Sequence, residues 1–214
     1  PASVSLLQGA MTEPLACCVH GIDLAGIQPG DTVAVIGGGA IGQMLAQLAR
    51  LRGAGSLLLS EPILARREMA LSLGVDVAID PLNENPLLPG GPLEGGADVV
   101  IEAVGSVTTA RQAIDWAAPG ATVLWFGVAP PNQTVSVEPN LIFRKELTIR
   151  GAYINPHTHQ RALALLASGR IRVEPLITRT VGLDDLPKVL SEKPGHHVKT
   201  VVLQGKSLDS RDRD

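Results

Sequence analysis

The sequence predicts an α/β protein built on a doubly wound parallel sheet of six strands. Short apolar runs rich in Val, Ile and Leu alternate with helical patterns between residues 32 and 153. These runs lack polar alternation, as strands covered on both faces should. The first of them breaks into glycines, "VAVIGGGAIGQM" at 33–44, and a helical pattern resumes at once.

Residues 14–25 form an apolar helical stretch, ended by Gly26 and the "QPGD" turn at 28–31. Residues 32–36 are β-branched and unbroken, a buried strand, and 40–51 carry Ile41, Leu45, Leu48 and Leu51 at helical spacing. A strand at 56–61, a helix at 64–73 and a strand at 75–79 follow, then a Pro/Gly-rich surface loop at 80–96. The pattern restarts with a strand at 97–105, a helix near 107–117, a strand at 121–128, helical turns at 140–146 and a sixth strand at 147–153.

After Tyr153 the character changes. An amphipathic helix at 159–171, a strand at 175–181, a helix at 183–192 and a strand at 198–203 precede a polar tail at 205–214. These elements are too few to close a domain of their own. The apolar residues of 175–181 and 198–203 are therefore expected to stand open to solvent or to be covered by a neighbour.

Composition narrows the class of function. With 214 residues, 45% hydrophobic, 18% charged and a net charge of −3, the chain reads as an ordinary globular protein with no Lys/Arg stripe for nucleic acid. No run reaches the length of a membrane span and no signal peptide is found, so no membrane partner is expected. Cys17 and Cys18 are adjacent, a poor disulfide, and no C-x-x-C is present, which fits a reducing, cytoplasmic setting. Aromatics are only 2%, so Leu, Val, Ile and Ala must build the core. The chain starts at Pro1 and reads as a piece of something longer.

Gly37, Gly39 and Gly42 make a G-x-G-x-x-G between a strand and a helix. The first glycine permits the tight turn, the second lets backbone amides approach a pyrophosphate, and the third lets the helix pack on the strand. N–H groups around Ala40 and Ile41, with the helix dipole, then face the anion. Glu61 ends the second strand nineteen residues after Gly42, where a carboxylate would accept hydrogen bonds from an adenosine ribose and repel a 2′-phosphate. NAD is favoured over NADP on that ground. Arg66 and Arg67 temper the choice, since either could swing toward a phosphate or stack on adenine. A surface glutamate after a strand is the plainer reading of Glu61. "EAVG" (Ala103, Val104 and Gly105 after Glu102) and "FGV" (Phe126, Gly127, Val128) end the fourth and fifth strands, where the crevice between sheet halves lies. They would pack the nicotinamide half of a dinucleotide, or are simply strand-to-loop glycines.

Five stretches carry a resemblance: "TEPLACCVHGI", "IQPGDTVAVIGGGAIGQMLAQLAR", "ADVVIEAVGS", "FRKELTIRGAY" and "LALLASGRIRVEPLITRTV". In this order, over residues 1 to about 204, the chain resembles the medium-chain, zinc-dependent alcohol and polyol dehydrogenases, in particular their sorbitol, threonine and butanediol dehydrogenase branch. The resemblance implies hydride transfer between a secondary alcohol or polyol and NAD, with a catalytic zinc between a GroES-like domain and a Rossmann domain. It implies that residues 1–25 are a connecting segment and helix from the catalytic domain, 26–153 the NAD-binding Rossmann domain, and 154–204 the returning part of the catalytic domain. Glu13 of "EPL" is implied to be a zinc ligand or to hold the zinc-bound water, residues around Cys17 to lie near the nicotinamide, and Ala152 and Tyr153 to meet its carboxamide end. Pairing of the sixth strand with its twin implies a homodimer or homotetramer.

The family's zinc-binding Cys and His-Glu pair, its proton relay and its structural zinc lobe have no counterpart in this sequence, so no catalytic residue is assigned and Zn2+ is expected only with the missing domain. A non-catalytic NAD-binding module is accordingly the alternative. A methyltransferase, or a zinc-free quinone or enoyl reductase, would leave "EPLACCVHGI" or Glu13 unexplained. The remaining candidates have plain structural readings too. Glu13 suits a helix N-terminus, Cys17 and Cys18 suit a buried helix face, His157-x-His159 beside Pro156 suits a capping turn, His196-His197 suit a solvated loop, and Trp116 and Trp125 suit packing.

Overall fold

The structure, a computed structural model, describes residues 1–192 and 195–203, so the polar tail expected at 205–214 lies outside the described residues. Six parallel strands form the main sheet: β1 (Thr32–Ile36), β2 (Ser56–Ser60), β3 (Val77–Ile79), β4 (Ala97–Glu102), β5 (Ala117–Trp125) and β6 (Thr148–Gly151). They lie in the order β3-β2-β1-β4-β5-β6, so the chain reverses its direction of travel across the sheet between β1 and β4.

Alternation along each strand feeds two cores, one per face. Val33 and Val35 of β1, Leu57 and Leu59 of β2 and Val99 and Ile101 of β4 point to one face. Ala34, Ile36, Leu58 and Val100 point to the other. The first face is covered by α2 (Thr12–Ala25), α3 (Ala40–Arg52) and α7 (His159–Ala167), through Leu15, Val19, Ile22, Leu45, Leu48 and Leu166. α4 (Leu64–Ser72) adds Ala70 there. The second face is covered by α5 (Val107–Asp115), with Ala113 and Ile114, and by α6 (Pro139–Lys145), with Leu141 and Ile142. Left-handed glycines, Gly26 (φ 70°) and Gly53 (φ 102°), end α2 and α3.

Several boundaries differ from the sequence expectation, each for a local reason. A short helix α1 (Leu6–Gly9) was not foreseen; Ser5 and Gln8 close a reciprocal capping box on it. β5 starts earlier than expected because Ala117 pairs with Ala97 before an irregularity shifts the register to Val99 opposite Thr122. β4 stops at Glu102, where the chain turns toward Gly105 (φ 83°). The loop 80–96 is not wholly a surface feature: Leu93 is 1% exposed and stands in the second core. Burying one such side chain contributes about 1.5–3 kcal/mol, enough to fix a loop that replaces a crossover helix.

After α7, a 3-10 turn (Glu174–Leu176) leads into β7 (Ile177–Val181), and a second (Leu183–Asp185) into α8 (Leu186–Ser191). β8 (Lys199–Val202) pairs with β7 in parallel as a separate two-stranded sheet. The open apolar face expected here is largely absent. Leu176, Val181 and Val201 are buried, and Ile177 and Val198 pack against the first core; among the apolar residues of these two stretches only Val202 is classed as exposed. The chain entering this segment is tied to α3, where the Gln47 side chain both donates to and accepts from the Arg172 backbone.

Asp23 ties three helices together: its carboxylate pairs with Arg52 of α3 and Arg161 of α7. These guanidinium groups, Arg161 foremost, hold the Asp23 carboxyl below its ordinary range. Such a shift gives stability that is full above the unfolded carboxyl pKa near ~4 and is lost as pH falls through the lower folded value. Both arginines are about half exposed, which limits the pair to about 1 kcal/mol. Asp23→Asn should therefore lower the melting temperature by about 2–4 °C at neutral pH, and thermal scans should show the difference closing in the acid range.

Candidate functional site

The glycine turn stands where β1 gives way to α3, beside the reversal of strand order. Gly37 takes φ 105°, and its N–H donates to the Ser60 carbonyl at 2.8 Å. A Cβ at Gly42 would lie 1.8 Å from the Gly37 carbonyl oxygen, so only glycine lets α3 approach so closely. A Cβ at Gly37 would meet Val104 at 2.8 Å. Gly39 is different: nothing lies within 4 Å of its Cβ position, and it caps α3 with no side-chain hydrogen bond. No side chain at Gly39 stands over the first-turn N–H groups around Ala40 and Ile41, which sit at the positive end of a helix dipole, a fit for an anion.

Glu61 closes the side of this turn and is 4% exposed. One carboxylate oxygen accepts from Gly38 N at 2.8 Å, the other from Ile63 N at 3.0 Å. A carboxylate has about four lone-pair positions, so acceptor capacity remains for sugar hydroxyls. Arg66 Nη1 stands 3.8 Å from Glu61 Oε2, while Nη2 donates to the carbonyls of Gly195 and His197 at 3.1 and 2.9 Å. Arg67 is used differently, donating to the carbonyls of Glu61 and Pro62 and pairing with Asp80. The buried Gln43 donates to the Gly38 and Arg66 carbonyls, joining turn to α4.

The other strand-end turns interlock. Glu102, 1% exposed, accepts at one oxygen from Val104 N, Gly105 N and the Thr109 hydroxyl, each at 2.8 Å. Its backbone carbonyl accepts from Phe126 N and Gly127 N, both at 2.9 Å. Cβ atoms at Gly105 and Gly127 would each come within 2.7 Å of the opposing turn, which explains both glycines. Val104 and Val128 are left exposed at the mouth. A cleft of about 440 Å³ runs between the glycine turn and the turn after β4, lined by Gly37, Gly39, Glu61, Arg66, Ala103 and Val104 among others. Ala152 N donates to the Trp125 carbonyl at 3.2 Å just past β6, and Tyr153 beside it is exposed.

Glu13 lies in the first turn of α2, where its charge suits the helix dipole. It accepts from Asn155 Nδ2 at 2.8 Å and from the Cys17 thiol at 3.4 Å. Burial first, then Glu13, push the Cys17 thiol up; burial raises that of Cys18 well above its ordinary value. A catalytic zinc takes three protein ligands, and among the described residues no three His, Cys, Asp or Glu side chains converge to hold a metal ion. Glu13 with its two neighbours does not make a zinc site, and His157 and His159 sit in a turn and at the start of α7.

Periodicity and motif spacing do not mark Glu102, Asn155 or Gln43 as functional. The Asn-Pro dipeptide at 155–156 is a turn signal that points to Asn155; nothing in the sequence marks Gln43.

A glycine-rich turn at the switch point of a 3-2-1-4-5-6 parallel sheet defines the Rossmann class of α/β proteins. The profile of the zinc-binding dehydrogenases matches residues 40–168, and the chain belongs to that family. It is 31% identical over 190 residues to D-arabinitol dehydrogenase 1 of Uromyces fabae, covering 86% of this chain and 54% of that protein. Sorbitol dehydrogenase of Gallus gallus is 30% identical over 207 residues, covering 94% and 58%. A zinc-binding dehydrogenase from Sinorhizobium meliloti 1021, in a crystal structure bound to NADP, superimposes with a TM-score of 0.92 at 40% identity, covering 95% of this chain and 61% of that one. The chain thus spans little more than half the length of the curated relatives it matches.

Glu102→Ala would leave the Val104 and Gly105 amides without their acceptor, while the Thr109 hydroxyl keeps the Ser106 carbonyl. Each unsatisfied donor costs about 1–3 kcal/mol, so urea unfolding should show a loss of at least about 2 kcal/mol. A midpoint unchanged from the wild type would mean water replaces the carboxylate.

Proposed function

We propose that this chain is the cofactor-binding part of an NAD-dependent alcohol or polyol dehydrogenase. The observation that carries the reading is the open Gly39 position at the uncapped start of α3, with the carboxylate of Glu61 beside it. In this reading the pyrophosphate lies on the amides of Gly39, Ala40, Ile41 and Gly42, with Gly37 shaping the turn. Glu61 takes the adenosine ribose and Arg66 borders the same subsite. The turns of Ala103, Val104 and Gly105 and of Phe126, Gly127 and Val128 flank the nicotinamide, and Ala152 and Tyr153 meet its carboxamide. When bound, the nicotinamide supplies the hydride acceptor; the chain binds and orients it and excludes water from one side. Residues 26–153 are the cofactor-binding domain, and 1–25 and 154–204 belong to a catalytic domain. The substrate class, a secondary alcohol or polyol, rests on the relatives' names and on the resemblance. So does the role of Glu13 toward zinc, which needs ligands beyond the described residues.

NADP is the second reading, favoured by the guanidinium of Arg66 only 3.8 Å from Glu61. The 40% identical relative was crystallised with NADP. We hold NAD first because backbone amides fix both oxygens of Glu61, which sets a carboxylate where a 2′-phosphate would have to lie. A cytoplasmic setting accords with the two free cysteines, and no helix among the described residues is long and apolar enough to cross a membrane. β6 lies at the sheet edge with Phe143 exposed nearby, which suits pairing with a second copy.

Calorimetric titration of the protein with NAD and NADP is the direct test. NAD should bind more tightly, and Glu61→Ala should weaken it by about tenfold or more, the equivalent of one hydrogen bond to a charged group. Failure of both cofactors to bind would remove the reading. Sedimentation should give a species of twice or four times the 22.3 kDa chain mass; a monomer at high concentration would remove the edge-pairing proposal.

A further inference from the structure

Asn155 lies in the turn after β6, yet its side chain reaches back to α2. Its Nδ2 donates to Glu13 Oε1 at 2.8 Å and stands 3.4 Å from Cys17 Sγ, while the Cys17 thiol donates to the same Glu13 oxygen. The backbone on either side is unusual: Ile154 has φ 60° and His157 φ 59°. A β-branched residue in the left-handed region is an outlier that persists where surrounding contacts over-determine it. One such contact is Thr158, 4% exposed, whose hydroxyl donates to the Ala16 carbonyl at 2.7 Å. The turn is therefore fastened to α2 on both sides of Pro156. α2 in its own right touches the glycine cradle, with Cys18 Sγ 3.9 Å from the Ile41 carbonyl in the first turn of α3. A continuous path of contacts joins the cradle to the segment carrying Ala152 and Tyr153.

We propose that Asn155 is a positioning residue for the nicotinamide end of the cofactor: by fastening the 152–158 turn to Glu13 and Cys17, it fixes Ala152 and Tyr153 where the carboxamide comes to rest. The proposal rests on the cofactor reading above. Asn155 acts through the turn, without touching the cofactor. Its amide suits the task, because a single NH2 group donates toward a carboxylate and a sulfur at once. An aspartate here would set two carboxylates against each other.

ADP-ribose separates this role from a general effect on the fold, because it keeps the adenosine, ribose and pyrophosphate of NAD and lacks the nicotinamide. In calorimetric titrations Asn155→Ala should bind NAD about tenfold more weakly, the cost of one charge-assisted hydrogen bond, and ADP-ribose within about twofold of the wild type. Glu13→Ala, at an exposed position, should show the same NAD-selective loss, and the double variant should lose no more than either single one. Thr158→Val, which removes the second fastening, should again lose NAD affinity selectively. Unchanged NAD binding in Asn155→Ala, an equal loss for ADP-ribose, or additive losses in the double variant would overturn the proposal. Should Asn155→Ala fail to fold, the selectivity of Glu13→Ala decides alone: NAD affinity at the wild-type level, or an equal loss for ADP-ribose, overturns it. A wild type that binds neither compound overturns the cofactor reading as well, whereas normal wild-type binding with an indifferent Asn155 overturns only the present proposal.

Discussion

The carbonyl oxygen of Gly37 occupies the space that any side chain at position 42 would need. That single close approach lets α3 begin directly above the end of β1, so its first turn of amides opens toward the crevice beside β4. Had the helix been held off by even a methyl group, the N-terminus would point away from the sheet and the turn would open. Val104 against Gly37, Glu61 against Gly38 and Gln43 across to α4 all depend on the turn being this tight. The site is in this sense a backbone site, and side chains serve chiefly to hold the backbone in place.

Buried carboxylates do most of that holding. Glu61 and Glu102 end neighbouring halves of the sheet, each accepting main-chain amides that would otherwise be orphaned where strands give way to turns. A carboxylate that accepts several N–H groups fixes a turn more firmly than a neutral acceptor, since charge-assisted bonds are roughly twice as strong. The segment after β6 grips the same crevice from outside. Asn155 and Thr158 fasten it at α2, and the carbonyls of Gly195 and His197 take the Arg66 guanidinium at the Glu61 side. Residues remote in sequence from the glycine turn thus hold both α2 and Arg66.

The sheet was legible in the sequence because its central strands β1, β2 and β4 are short apolar runs covered on both faces; β1 matches its expected limits and α3 differs by one residue. The glycine turn was legible because its residues are fixed by steric exclusion, a local effect. Ends that depend on pairing were less so: β5 begins four residues early because of a partner, Ala97, that periodicity cannot name. The cover of β7 and β8 was misjudged for the same reason, since Leu176, Ile177 and Val198 pack on a core formed largely by residues far away in sequence. Leu93 was hidden by its Pro/Gly-rich surroundings, which conceal an anchor inside a loop. Asn155 acts through a hydrogen bond to Glu13 that forms only once distant segments meet.

The small β7–β8 ladder leans on the rest of the molecule. Two parallel strands cannot be joined by a tight hairpin, and among the described residues β7 and β8 pair only with each other. An isolated pair of this kind is marginal in water. Its registration against the larger sheet is imposed from outside, by Leu176 in the core and by the guanidinium of Arg66 above β8's approach. The ladder is therefore a dependent element, held in place by its contacts with the larger body.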